Sequence, residues 1–373
     1  MNPLQQLRNE GQAIWLDYIR RDLLTSGELE RMVAEDGVTG VTSNPAIFQK
    51  AIGGSDLYDA DIRALVADRP ELSAVELYEE LAVDEIRMAA DVLRSVYDAE
   101  DGADGFVSLE VSPHLARDTE GTLAEARRLW SWVDRPNLMI KIPATPEGMP
   151  AIEEALAEGI HVNVTLMFSL ADYEAVAGAF LRGVARASEP AQAASVASFF
   201  VSRVDSKIDG WLEEIGSDEA LSLCGTIAVA NSMLAYRRYR QLFHGEAFAA
   251  LRARGARPQR VLWASTSTKN PAYRDVVYVE ELIGAETVNT LPPATLEAFR
   301  DHGTVRRSLE EGLASADEPV RRLAAVGVDL DAATAELQRE GVEKFAQPFD
   351  RLLATLEEKR SALAATAAAE TAG

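Results

Sequence analysis

Short apolar runs alternate with long amphipathic stretches from one end of the chain to the other. The runs are AIWLDYI (13–19), GVTGVTSN (37–44), GFVSLEVS (105–112), NLMIKIPA (137–144), HVNVTLMFS (161–169), VASFFVSRV (196–204), RVLWAS (260–265) and ETVNTLPP (286–293). Their length and β-branched content fit strands, and the stretches between them carry helical spacing. Thr25-x-x-Glu28, Ser73-x-x-Glu76 and Thr122-x-x-Glu125 predict capping boxes, and Thr145-Pro146 predicts an N-cap with proline in the first turn.

Eight strands, each followed by a helical segment, predict a closed parallel (β/α)8 TIM barrel. The other arrangement of alternating strands and helices is an open doubly wound sheet. No run here is followed by a Gly-x-Gly-x-x-Gly or a Walker loop. The connections 46–103 and 205–256 are long and read as helical, which predicts additional helices within one domain spanning 1–360. From 303 onward the chain is helical and charged, predicting a C-terminal helical extension packed on the barrel exterior or across its mouth. The last stretch, 361–373, has little apolar bulk and is expected to be a loose, disordered tail.

Strands covered on both faces should be almost continuously apolar. These are interrupted, with period two, by polar residues. Ser108, Glu110 and Ser112 alternate with Val107, Leu109 and Val111; Asn163 and Thr165 oppose Val162, Val164 and Leu166. Thr42 and Asn44 share a face, Asp17 stands apart from Ile14 and Leu16, and Lys141 lies between Ile140 and Ile142. A lone serine or threonine is ordinary in such a wall. Asp17, Glu110 and Lys141 together are not, because an isolated buried charge costs several kcal/mol. Each also falls late in its strand, toward the end where barrels place their active sites.

Composition narrows the chemistry. The net charge of -23 argues against nucleic acid and anionic membranes as partners. A small phosphate remains compatible, since charge is screened over about 10 Å at moderate salt and one or two arginines suffice. The single cysteine, Cys224, fits a reducing cytoplasm. No signal peptide is expected from MNPLQQLRNEGQAIW, and no apolar run is long enough to span a membrane. The four histidines are scattered without metal-ligand spacing, so no metal is expected, and no cofactor. Of the 37 basic residues, six are lysines, at 50, 141, 207, 269, 344 and 359. Scarcity makes each lysine more informative.

An amine held among apolar neighbours gives up its proton more readily than one in water. As the neutral form it adds to a ketone, and the resulting imine is an electron sink for breaking the adjacent carbon–carbon bond. Forming and dehydrating the carbinolamine needs proton shuttling, which a carboxylate and an ordered water can supply. Cleavage needs a base for the hydroxyl on the departing carbon. Lys141, Glu110 with Thr165, and Asp17 are the candidates for these three tasks.

The segments GVTSNPAIF, VSLEVSP, NLMIKIPAT, NVTLMFS and SFFVSRVD, in this order, resemble those of transaldolases, over residues 13 to 300. The resemblance implies a (β/α)8 barrel with the Schiff-base lysine on strand four, where Lys141 falls. It implies Asp17 as acid/base at the cleaved bond and Glu110 with Thr165 as holders of the catalytic water. Asn44 and Asn163 are implied to bind substrate hydroxyls, Ser198 and Phe200 to line the pocket, and Arg203 to bind the phosphate. It also implies reversible conversion of sedoheptulose 7-phosphate and glyceraldehyde 3-phosphate to erythrose 4-phosphate and fructose 6-phosphate. After strand seven, WASTSTKNP departs from the better-known subgroup, offering Ser265, Ser267 and then Lys269 where a second arginine is usual. Lys269 is therefore expected to supply the second cation. The substrates are thus sugar phosphates, and a monomer or homodimer is expected.

The nearest rival is a fructose 6-phosphate aldolase or another Schiff-base aldolase. Such relatives typically carry glutamine in place of Glu110 and tyrosine in place of Phe200, and are much shorter. A non-catalytic barrel predicts loss of the lysine, a carboxylate or the arginine, and all are present.

Overall fold

Each of the eight apolar runs forms one strand: β1 Gln12–Leu16, β2 Val38–Thr42, β3 Val107–Glu110, β4 Leu138–Pro143, β5 Val162–Met167, β6 Ser195–Phe200, β7 Arg260–Ala264 and β8 Thr287–Leu291. They pair in parallel in chain order, and β8 closes on β1, so the chain forms the predicted (β/α)8 barrel. The computed structural model describes the backbone of residues 2–372 and side chains as far as residue 363. Most of the segment 361–373, expected as a loose tail, lies outside those described side chains.

Trp15 and Gly40 close the floor of the barrel. A Cβ added at Gly40 would lie 2.5 Å from the Trp15 ring, so β2 meets β1 there only because the residue is glycine. The indole is fixed from below, its Nε1 donating to Asp104 at 2.8 Å, and Arg260 holds the same carboxylate. One layer higher the interior turns polar. Asn163 donates to Ser108 Oγ at 3.0 Å and accepts from Ser198 Oγ at 2.7 Å, a chain that satisfies three buried side chains without water.

The long connections are helical, as their pattern requires. The first holds Pro45–Gly53, Asp59–Asp68 and Ala74–Ala99, and the second Ser202–Ile215, Asp218–Leu221, Ile227–Phe243 and Ala249–Ala253. The Ser73 capping box forms. The Thr145 hydroxyl accepts from the Gly148 amide, but Glu147 is the residue that precedes helix Gly148–Ala157, so Pro146 lies in the turn before the helix and not in its first turn. The other two boxes do not form. Thr25 ends helix Arg21–Thr25 and donates back to the Arg21 carbonyl, while Gly27 opens the next helix. Thr122 lies inside Thr119–Val133, whose start is capped by Asp118, and Glu125 accepts from the Ser112 amide instead.

The C-terminal extension holds the helices Ser308–Gly312 and Asp317–Ala325 and then the long helix Leu330–Ala372. The long helix crosses the barrel mouth and then lies on helices Pro45–Gly53, Asp59–Asp68 and Ala74–Ala99, so it occupies both places left open by its sequence. At the mouth Gln338 donates to the Ala144 carbonyl at 2.9 Å. Gly341 allows close approach, since a Cβ there would come 2.9 Å from Leu166. Leu166 itself has φ +60°, at a slip in register between β5 and β6. The strict alternation expected along 161–169 therefore breaks at this residue. No helix among the described residues is long and apolar enough to cross a membrane.

Candidate active site

The ladder places the charged residues. Glu110 is the register partner of Lys141, Lys141 of Asn163, and Pro143 of Thr165, so neighbouring strands bring them to adjoining levels of the interior. Asp17 directly follows β1, Asn44 heads helix Pro45–Gly53 after β2, and Arg203 begins the helix after β6. These ends surround a cavity of about 580 Å³ at the C-terminal mouth. A more open groove of about 700 Å³ lies beside His161 and Arg257 and contains none of the candidate residues. Its buried His161 imidazole is pushed down to about 4 by burial and is structural, accepting from the Ala194 amide.

Lys141 is 5% exposed. Its Nζ donates to the Ser43 carbonyl at 3.1 Å and stands 3.5 Å from Glu110 Oε2. Ser43 is braced by its own hydroxyl, which donates to the Ser108 carbonyl. Burial pushes the Glu110 carboxyl up to about 7, opposed by the positive charge of Lys141. Glu110 Oε2 and Thr165 Oγ1 are both buried without a hydrogen-bond partner in the protein. That is the condition in which a site recruits water or substrate oxygens.

Asp17 lies on the opposite wall. Thr42 Oγ1 lies 2.9 Å from its Oδ1 as a donor and 2.7 Å from the Thr290 hydroxyl. Burial raises the Asp17 carboxyl, and Lys141, the Thr42 hydrogen bond and Arg203 pull it back. Such a carboxyl can take or give a proton at its site.

The cationic end is built by Arg203 and Lys269. The Arg203 guanidinium lies 5.1 Å from the Phe200 ring centre, its Nη1 is buried without a partner, and no carboxylate pairs with it among the described residues. Burial lowers its basicity. Lys269 donates to Ser267 Oγ at 2.6 Å and is lowered by burial and by the charge of Arg203. Ser265, at φ +57°, bonds through its hydroxyl to Ser202 and shapes the turn between them. A half-buried Arg203 and a Lys269 at the exposed rim face one space, an arrangement that suits an anion.

Thr165, Ser198, Phe200, Arg203, Ser265 and Lys269 line the same cavity as Asp17, Asn44 and Lys141. Asn163 lies just beneath it, fully buried in the Ser108–Ser198 chain. Asn44 has a second duty, since its Oδ1 accepts from the Ile47 amide and caps a helix. Thr42 and Thr290, which flank Asp17, were not singled out for this role from sequence. Nor were Lys50, Lys344 and Phe345, which also line the cavity. The two lysines carried a signal, because four of the six lysines converge here. Phe345 carried none.

Among the described residues no group of three or more histidines, cysteines or carboxylates could hold a metal. The class defined by this fold and site is a parallel-barrel enzyme organised around a buried amine. The sequence profile of the Transaldolase/Fructose-6-phosphate aldolase family matches residues 14–356. The transaldolase of Thiobacillus denitrificans is 50% identical over 360 residues, covering 95% of this chain and 100% of its own. That of Frankia alni is 52% identical over 360 residues, covering 95% and 96%. That of Thermobifida fusca is 51% identical over 357 residues, covering 94% and 96%. The chain belongs to the transaldolase/fructose-6-phosphate aldolase family.

Proposed function

We propose that the chain is a transaldolase, carrying a dihydroxyacetone unit from sedoheptulose 7-phosphate to glyceraldehyde 3-phosphate through a Schiff base on Lys141. The observation that carries this is the pairing of the buried Lys141 amine with Glu110 at 3.5 Å. The amine attacks the C2 carbonyl of the donor, and loss of one water gives the imine. Glu110, paired with the amine at 3.5 Å, and Thr165, whose buried hydroxyl has no hydrogen-bond partner, hold the water that shuttles protons in this step. Asp17 takes the proton of the C4 hydroxyl, the C3–C4 bond breaks into the imine, and erythrose 4-phosphate departs. The three-carbon enamine then attacks the aldehyde of the acceptor, and the steps reverse to release fructose 6-phosphate.

The amide nitrogen of Asn44 and the Asn163–Ser198 pair serve the sugar hydroxyls, and Phe200 packs beside them. Arg203, Ser265 and Lys269 bind the phosphate. Transfer is favoured over simple aldol cleavage by Glu110 and Phe200, where glutamine and tyrosine typically stand in fructose 6-phosphate aldolases, and by the names of the three relatives.

Borohydride trapping with fructose 6-phosphate, read by mass spectrometry, tests the reading. The adduct is expected on Lys141 of the wild type and absent from Lys141→Ala. No adduct on the wild type, or one that survives the substitution, sinks the mechanism. Rapid release of dihydroxyacetone without an acceptor would favour the aldolase instead.

A further inference from the structure

The Phe345 ring lies against both charged ends of the cavity. Its centre is 5.5 Å from Lys141 Nζ and 5.9 Å from Arg203 Cζ, and the residue is 6% exposed. It comes from the helix Leu330–Ala372, far in sequence from either partner. A specific clamp holds that helix over the mouth. Lys207 lies one turn beyond Arg203 on helix Ser202–Ile215, and its ammonium pairs with Glu336 at 3.0 Å and Glu340 at 2.7 Å. One short helix therefore presents Arg203 to the cavity and secures the element that delivers Phe345.

We propose that Phe345 is a specificity-determining residue: it sets how the lysine-bound three-carbon unit divides between transfer to an acceptor and loss to water. The Lys207 clamp fixes its position. The inference rests on the Schiff-base reading above and adds a determinant to it. Once the aldose phosphate has left, the enamine on Lys141 has two fates. Its nucleophilic carbon can attack an acceptor aldehyde and form a new carbon–carbon bond. Alternatively the carbon takes a proton, one water adds to the imine carbon, and the carbon–nitrogen bond breaks, giving dihydroxyacetone and the free amine.

The second fate consumes water, and the cavity of about 580 Å³ has ample room for it when the aldose phosphate is gone. An apolar ring beside the amine removes part of that room and offers water no hydrogen bond. The same ring faces a nitrogen that becomes cationic in the iminium, which favours its retention. Glu110, opposite Lys141 in the ladder, and Thr165, which lines the same cavity, come from the strands and are untouched by this arrangement.

The test uses the full chain with fructose 6-phosphate as donor. Dihydroxyacetone release without acceptor and transfer to erythrose 4-phosphate are measured on one preparation, and their ratio is independent of the fraction of active enzyme. In Phe345→Ala the release-to-transfer ratio should rise about tenfold or more. In Phe345→Leu it should rise less, and in Lys207→Ala it should move in the same direction. An unchanged ratio in Phe345→Ala, with the borohydride adduct still formed, overturns the proposal. If Phe345→Ala does not fold, unchanged ratios in both Phe345→Leu and Lys207→Ala overturn it. A raised ratio in the Phe345 variants with an unchanged one in Lys207→Ala overturns the clamp. Failure of the wild type to form an adduct overturns the underlying mechanism instead.

Discussion

Glu110 and Lys141 face each other as register partners on β3 and β4, with Oε2 and Nζ 3.5 Å apart. Parallel pairing makes this contact independent of any loop. Both strands are buried along their length, so the pair is held by the ladder itself. A carboxyl pushed up to about 7 beside an amine is a proton exchanger near neutral pH.

Glu110→Gln should therefore lower kcat by about 10²–10⁴-fold while KM for fructose 6-phosphate changes only a few-fold. In the wild type, single-turnover imine formation should quicken as pH rises through about 7 and Glu110 becomes the base. The Gln variant should lack that inflection. Stopped-flow measurement across pH decides it; an identical profile in both would remove Glu110 from the proton path.

At the cationic end, Arg203→Ala should raise KM for phosphorylated substrates by roughly 30–100-fold, with kcat within a few-fold, because the lost contact serves ground and transition states alike. Lys269→Ala should cost less than about tenfold, since its ammonium is exposed at the rim and screened by salt. With the phosphorylated donor saturating, the KM for unphosphorylated erythrose as acceptor should be nearly indifferent to both changes. A kcat effect without a KM effect for Arg203→Ala would place it in the chemistry rather than in phosphate binding.

The floor of the barrel makes a prediction about stability alone. Gly40→Ala drives a methyl to 2.5 Å from the Trp15 ring, between two strands that cannot separate, and should cost about 1–3 kcal/mol. Denaturant unfolding should show a lower midpoint at unchanged slope. A neutral result would mean that Trp15 can swing away, breaking its bond to Asp104.

Asp205 gives a pH dependence separate from catalysis. It is 1% exposed, accepts from the Ala228 amide and the Tyr278 hydroxyl, and burial pushes it up to about 7. A raised value means that the fold prefers the protonated acid. Its contribution is thus complete below the ordinary value near 3.8 and is lost as pH rises through about 7. Asp205→Asn keeps an acceptor without the charge. Its stability advantage over the wild type should widen between pH 4 and 8 to about 2–4 kcal/mol. Parallel stability curves in thermal scans would contradict this.

The strands were legible because a barrel wall must be apolar, and the charged departures from that rule marked the interior face, whereas polar residues such as Gln12, Thr39 and Ser195 turn outward and bond neighbouring carbonyls. Lys141, Glu110 and Asp17 were found in this way, and the chain's sparing use of lysine sharpened the first of them. Local signals fared less well. Thr25 and Thr122 fit the capping pattern, yet each hydroxyl found a carbonyl nearer to hand, and a four-residue motif cannot foresee that competition. The break at Leu166 was hidden because φ +60° is a conformation no leucine in an apolar run announces, and the helix that packs over it at Gly341 comes from far along the chain. Phe345 was illegible for a related reason: nothing in EKFAQPF says which barrel end the helix will meet.

The gathering of Lys50, Lys141, Lys269 and Lys344 at one mouth has a practical corollary. The two remaining lysines are tied down, Lys207 by Glu336 and Glu340 and Lys359 by Asp59. Amine-selective reagents such as acylating esters or pyridoxal phosphate, which in most proteins scatter over the surface, would here report chiefly on the cavity. Labelling that sugar phosphate suppresses becomes a footprint of occupancy, obtainable without a variant or a coupled assay.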